Sequence, residues 1–447
     1  MGTFEAPTEN SHPLLAQAPT TGGMLLEWSF ALLCGLAVAV PRASWVLLGL
    51  LCLSIAVSRS FMARRYLWSD ALSRLSGLDL AAWAAIPVLA LVSTLWSLDP
   101  GASASKGALL LLLLAAFTLS YAAIRQTDRS ILVYVLRGVA FGVVFGTAYL
   151  ALELYGNGLF SRTMYNSFGW PFGIRVGPAG HLVKDGRSVG LYAGALNRNT
   201  VVATALLFPV LLAFLLWRPR SWRAVAGALV IWAFAASTIM RSYSETSKLG
   251  LTVGTIVAVG AMLHWRTMLL LVKATWFTAC LLSLPAVFLF LNLGLQHHEP
   301  IKSLHQIQRL RIYESAATEY LKAPLIGVGA RSSAVVQNWS DDQESAASTN
   351  RARIQVHPHS VYLEAWLDLG AVGAVLLWLL GHRILTAIAR QPRHLRELLL
   401  AHFATIAAVI APSYSMWQLW FVAGALLSAL ISTACVAAFA SRAPAPD

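Results

Sequence analysis

Charge is scarce in this chain: of 447 residues only 12% are Asp, Glu, Lys or Arg, about half the share of an ordinary soluble protein. A soluble domain is excluded on that ground. Apolar residues make up 57% and fall in continuous runs, not in the alternating segments of a membrane β-barrel. The expected fold class is an all-α integral membrane protein. Cysteine is scarce too. Cys34, Cys52, Cys280 and Cys435 lie inside apolar runs without CxxC spacing, so they read as small apolar packers and not as disulfides or zinc ligands. There is no Walker A loop and no HExxH. The acids Asp99, Asp185, Asp341 and Asp342 are dispersed, without the D-x-D pair of a divalent-metal glycosyltransferase. Metal-independent chemistry without a cofactor is the expectation.

Apolar runs bounded by charge, proline or polar clusters predict about twelve spans. They lie near 24 to 41, 44 to 58, 78 to 97, 106 to 124, 131 to 153, 189 to 217, 222 to 240, 247 to 264, 267 to 294, 360 to 381, 397 to 412 and 416 to 440. Residues 1–23 lack Lys, Arg and a cleavable hydrophobic core, and read as a disordered tail before a polytopic domain over 24–440; 441–447 form a second tail. Four connections agree on one orientation. Arg59, Arg64, Arg65 and Arg74, Arg125 with Arg129, Arg218 with Arg220 and Arg223, and Arg383, Arg390, Arg393 and Arg396 mark the cytoplasm, which places both termini inside.

Two long external loops, 154–188 and 295–358, break that pattern. The first carries Arg162, Arg175, Lys184 and Arg187, and the second carries Lys302, Arg309, Arg311, Lys322, Arg331, Arg351 and Arg353. Long loops translocate whatever their charge, so topology permits these cations without requiring them. An anionic ligand outside accounts for them, as does a solvated loop facing anionic headgroups. The net charge of +13 is thus no sign of nucleic-acid binding. In the second loop Leu310, Tyr313, Ala317 and Tyr320 recur at helical spacing, which predicts an amphipathic helix over 305 to 322 lying on the membrane or over a cavity.

The segment His357-Pro358-His359-Ser360 runs straight into the tenth span. Proline is tolerated in a first helical turn, so His359 belongs at or beside the helix start, at the external interface. The positive helix end disfavours imidazolium and favours a neutral ring able to take a proton, as a general base must. The plainer alternative is a histidine anchoring a helix among headgroups. Arginines alongside tip the choice, because the planar guanidinium binds two oxygens of a pyrophosphate and stays charged as that group departs. Candidates are Arg309 and Arg311, or else a loop helix pairing them with Glu314 or Glu319. Arg198, flanked by Asn197 and Asn199 inside the sixth span, is another. An arginine in lipid faces a polar cavity or a partner; Glu364 and Asp368 could be that partner. Arg241 to Lys248 adds two cations and several hydroxyls before the eighth span.

Together these segments resemble the O-antigen ligase and polymerase superfamily of bacterial membrane proteins. His359-Ser360, nine residues, then Gly370-Ala371-Val372-Gly373 is similar to the ligase signature. Arg309-Leu310-Arg311-Ile312-Tyr313, followed by Pro324-Leu325-Ile326-Gly327-Val328-Gly329, resembles the Arg, aromatic, Pro-Leu-x-Gly-x-Gly run of the family's large external loop. Trp96-Ser97-Leu98-Asp99-Pro100 and Leu196 to Thr200 are weaker matches. One departure stands out: Ser244-Glu245 replaces the usual Ser-Arg or Ser-Lys, with Lys248 a turn later and Arg241 as a substitute.

The resemblance implies a GT-C-like glycosyltransferase with a large periplasmic loop, in the inner membrane of a Gram-negative bacterium. It implies transfer of a glycan from undecaprenyl pyrophosphate to lipid A-core, with inversion. His359 would be the base, and Arg309, Arg311, Arg198, Lys248 and Arg241 would hold pyrophosphate. Asn199, Ser360 and His357 would support them. An O-antigen polymerase or a protein O-oligosaccharyltransferase shares these features. A lipid or glycan transporter is the alternative from another class, although the halves show no repeat and the chemistry gathers on one face.

Overall fold

The structure is a computed structural model and describes residues 21–62, 77–177, 180–217, 221–294, 313, 320–332, 358–412 and 414–440. The helices are α1 (Thr21–Ala39), α2 (Ser44–Met62), α3 (Gly77–Val92), α4 (Pro100–Arg125), α5 (Arg129–Tyr155) and α6 (Leu159–Phe168). After a hairpin of β1 (His181–Lys184) and β2 (Arg187–Leu191) come α7 (Asn197–Trp217), α8 (Trp222–Arg241), α9 (Glu245–Leu263), α10 (Trp265–Leu281) and α11 (Ser283–Asn292). The chain ends with α12 (Val361–Ala389), α13 (Arg393–Ile410) and α14 (Leu419–Ala440).

Eight of these helices, α1, α4, α5, α7, α8, α9, α12 and α14, are long and apolar enough to cross a membrane, and α10 with α11 makes a ninth as one bent span. The protein is a multi-pass, helical membrane protein. The hydropathy reading expects twelve spans; the other three fall on helices that fail on length or charge. The apolar stretches of α2 and α3 are short, Pro41–Ile55 and Leu80–Leu95, and α13 carries Arg393, Arg396 and Glu397.

Helix α7 is the axis of the bundle. It is buried on nearly every side and packs against α1, α5, α8, α9, α13 and α14. At the periphery the apolar side chains point outward: Trp222, Leu229 and Val230 on α8, and Leu270 and Leu271 on α10, are all exposed. Such an outward apolar surface suits contact with lipid. The four cysteines are free, three of them buried, as the packing role requires.

Local chemistry sets the helix ends. Asp99 caps α4 by accepting the Ala102 N–H at 2.9 Å, with Pro100 in the first position where it lacks nothing. Ser221 caps α8 in the same way.

Three expectations are corrected. The span expected from 189 begins at Asn197, because residues 187 to 191 pair with 181 to 184 as the only sheet among the described residues. Val189 is exposed and Ser188 and Gly190 are buried, an alternation that belongs to a strand and not to a helix. The span expected over 267 to 294 bends by 65° between α10 and α11, where Pro285 cannot donate to the preceding turn. The tenth span, expected as one run over 360 to 381, extends to Ala389 and is broken at Gly370, whose φ of 67° and ψ of −163° are not helical.

The loop over 305 to 322 lies outside the described residues except Tyr313 and Tyr320 to Lys322. Tyr313 is helical. It and Tyr320 pack with Leu284, Leu363 and Trp366.

Candidate active site

The nine residues between Ser360 and Gly370 are one short helix. Val361–Leu369 forms the first part of α12, about 14 Å long at 1.5 Å per residue, with Ser360 as its N-cap residue. His359 precedes that cap, half-buried, with φ +47°. A non-glycine residue held in the left-handed region is uncommon and occurs where the surroundings fix it.

The short helix is anchored on all sides. Tyr362 donates its hydroxyl to the Ala407 carbonyl at 2.9 Å, and the Trp366 indole N–H donates to the Cys280 carbonyl at 2.8 Å. The buried Glu364 carboxylate accepts from the Ser415 hydroxyl and the Met416 N–H, both at 2.6 Å. The buried Asp368 accepts from the Trp417 indole at 2.6 Å and from the Arg331 N–H at 3.0 Å. The turn between α13 and α14 is thereby tied to this helix. Buried carboxylates need such donors.

At the break the glycine motifs meet. The Val328 N–H donates to the Leu367 carbonyl (3.1 Å) and the Gly329 N–H to the Asp368 carbonyl (2.9 Å), while Ala371 and Val372 donate to Pro324 and Leu325 (3.0 and 3.2 Å). The freed backbone groups of α12 are thus satisfied by the Pro-Leu-x-Gly-x-Gly loop, which is what allows a helix to be interrupted inside a membrane protein. Both partners must be glycine. A Cβ on Gly327, at φ +69°, would stand 2.4 Å from the Asp368 carbonyl carbon, and one on Gly370 would stand 2.4 Å from that of Leu325. The other side of the loop is sewn to the corner between α3 and α4. The Ala330 N–H donates to the Ser93 hydroxyl (3.0 Å), the Ser103 hydroxyl to the Ala330 carbonyl (2.7 Å), and Ser97 and Ser332 share a hydroxyl bond (2.7 Å). Trp96-Ser97-Leu98-Asp99-Pro100, a weak motif by itself, is the floor on which this loop sits. Arg331 is held there within electrostatic range of Glu364 and of Lys106 on α4.

Arg198 lies in the first turn of α7 and not several residues inside a span, because the helix starts later than expected. Its guanidinium lies over the Trp420 ring, 5.7 Å from the centroid. Glu364 and Asp368 are bonded elsewhere and do not pair with it. Asn199 donates both hydrogens of its amide to the Val38 and Ala39 carbonyls, each at 2.8 Å, which fixes the mouth of α7 against the end of α1. Arg198 and the short helix therefore flank one turn, with Trp420 on one side and Ser415 to Trp417 on the other.

The remaining described candidates make contacts of their own. Arg241 lies 6.0 Å from the Tyr155 ring centroid, and Lys248 pairs with Glu245 at 2.8 Å. Arg309, Arg311 and His357 lie outside the described residues.

The composition and the buried spans define a polytopic membrane protein with a site built where loops meet helix ends. Residues 188–378 match a family model described as O-antigen ligase. A Rickettsia conorii protein named "Putative polysaccharide ligase" is 24% identical over 119 residues, 26% of this chain and 29% of that protein. The match thus spans less than a third of that relative's length. This stretch of the chain is similar to O-antigen ligases, and it contains Arg198, His359 and both glycine runs.

Proposed function

We propose that the protein is an O-antigen ligase: it transfers a glycan from undecaprenyl pyrophosphate to lipid A-core in the periplasmic leaflet of the inner membrane. The observation that carries this is the short helix Val361–Leu369, which presents His359 at its start and is clamped by the glycine loop at its end.

In this reading neutral His359 takes the proton of an acceptor hydroxyl as that oxygen bonds to the anomeric carbon. The bond from that carbon to the pyrophosphate oxygen breaks, its electrons leaving with the lipid pyrophosphate, and the configuration inverts. Arg198, with Arg309 and Arg311 from the loop, stabilises the departing charge; Arg241 and Lys248 extend the basic face. An open apolar groove of about 470 Å³, lined by Leu284, Pro285, Phe288, Leu289, Asn292, Tyr320 and Trp366, lies beside the short helix and suits a polyprenyl tail. In this reading the His359 side faces the periplasm and both termini lie in the cytoplasm, which requires α2, α3 and α13 to cross in addition to the nine long apolar spans.

The test is the lipopolysaccharide profile of a deletion strain complemented with wild type or His359→Ala, with lipid-linked glycan measured alongside. A ligase predicts loss of every O-antigen band, accumulation of long glycan on undecaprenyl pyrophosphate, and no rescue by the variant. General-base removal should slow transfer about 100- to 10,000-fold. A core band carrying one repeat would instead identify a polymerase, and an unchanged ladder would point to another acceptor or to transport.

A further inference from the structure

Three arginines from three separate segments converge beside the mouth of α7. Arg42 stands in the turn Pro41–Ala43 that joins α1 to α2, immediately after the Val38 and Ala39 carbonyls that Asn199 binds. Arg175 comes from the loop before the hairpin. Two residues earlier Gly173 lies against Val40, where a Cβ would come within 3.0 Å of the Val40 side chain. The Arg175 carbonyl is itself held by the His181 N–H at 2.7 Å. Arg198 completes the group from the first turn of α7.

The three guanidiniums feel one another's charge. Arg42 holds its proton less tightly than an ordinary arginine because of burial and then of the Arg198 and Arg175 charges. Like charges brought together in this way repel. None of the three has a carboxylate partner among the described residues: the ion pairs there are Arg137–Glu27, Lys248–Glu245 and Arg393–Glu397. Tertiary contacts hold the group in place against its own repulsion, and the positive end of α7 adds to it. A bound anion would remove the repulsion, and arginine forks match phosphate oxygens.

We infer that Arg42, Arg175 and Arg198 form one anion-binding cradle for a phosphorylated lipid, in which Arg42 and Arg175 are binding residues lying outside the stretch that matches the ligase family. The inference rests on the proposed ligase reading and extends its basic site to two further residues. The chemistry recognised is a phosphate or pyrophosphate ester. Its source is either the polyprenyl pyrophosphate donor or the phosphates of the glycolipid acceptor.

Equilibrium binding to the purified full-length protein in nanodiscs tests it without requiring turnover. Undecaprenyl pyrophosphate and a phosphorylated lipid A-core are titrated separately against wild type, Arg42→Gln, Arg175→Gln, the double Gln variant and the corresponding Lys variants. Melting curves verify the fold. Each Gln substitution should weaken one lipid about tenfold, the loss of one charge-assisted contact, and flatten the salt dependence of its binding. Lys variants, which keep the charge but lose the fork, should lose less. A loss confined to the pyrophosphate lipid assigns the cradle to the donor, and a loss confined to the glycolipid assigns it to the acceptor. Affinities for both lipids that agree within about twofold across wild type, Lys and Gln variants overturn the cradle. A wild-type protein that binds neither lipid overturns the ligase reading itself, which distinguishes the two failures.

Discussion

Two regions of this molecule bring backbones together through glycine, and they do so differently. Along α5, Gly138, Gly142 and Gly146 face α1, where an added Cβ would come within 2.2 Å of the Glu27 and Ala31 carbonyl oxygens and 2.9 Å of that of Gly35. This is small-residue packing of helices in lipid, with Arg137 bound to Glu27 beside it. None of these α5 glycines has a positive φ. At the site, Gly327, Gly329 and Gly370 have φ of 69°, 102° and 67° and also touch another backbone or Ser97. The first seam excludes a side chain on space alone. The second excludes it on space and on conformation, so it has no relaxed alternative to an exposed chain break.

Gly370→Ala should therefore have the largest effect. Its φ and ψ belong to a region that is nearly glycine-only, and strain of about 1–3 kcal/mol adds to the clash with Leu325. The loop should undock and transfer should fall more than tenfold while the protein still inserts, as measured by glycan transfer in isolated membranes normalised to protein amount. Normal transfer would break the distinction between the seams. Gly142→Ala should lower thermal stability in detergent by about 1–3 kcal/mol, the cost of overpacking, with turnover per folded molecule unchanged; lost turnover at normal stability would make the two seams functionally alike. Trp417→Phe leaves Asp368 one donor short, at a cost of about 1–2 kcal/mol, and should speed tryptic cleavage after Arg331 in oriented vesicles. Ser97→Ala removes the one hydroxyl bond that ties Ser97 to Ser332 of the loop, worth about 0.5–1.5 kcal/mol, together with the bonds it accepts from the Asp99 N–H and the Ser103 hydroxyl within the corner itself. It should accelerate the same cleavage least.

Much of the helical framework was legible in the chain, because long apolar runs admit no other structure in lipid. The run expected over 106 to 124 became Pro100–Arg125, extended at its start by the cap at Asp99. The break at Gly370 was hidden. A Gly-x-x-Gly inside an apolar run reads as helix packing, and its role shows only with the loop residues that it contacts, more than forty positions earlier. The hairpin was hidden as well, since a few alternating residues in a basic loop make a weak signal beside the hydropathy of α7. Of the proposed site, His359 and Arg198 stood out by position, although Arg198 turned out to sit at a helix mouth. Arg42 carries a signal that could have been read: a basic residue in a three-residue connector on the side opposite the arginine-rich loops. Arg175 was one cation among many until the contact of Gly173 with Val40 set its loop beside the end of α1.

The clamp at Gly370 also dictates when the site can exist. The α3–α4 corner is synthesised early, and the loop that rests on it follows more than two hundred residues later: Ser97 and Ser332 are 235 positions apart. The backbone that closes the other side of that loop emerges later still, with residues 367 to 372. Contacts so distant in sequence form late in folding. A nascent chain stopped before α12 holds most of its apolar helices but no seat for His359, so the protein inserts first and acquires its chemistry among the last events of its biogenesis.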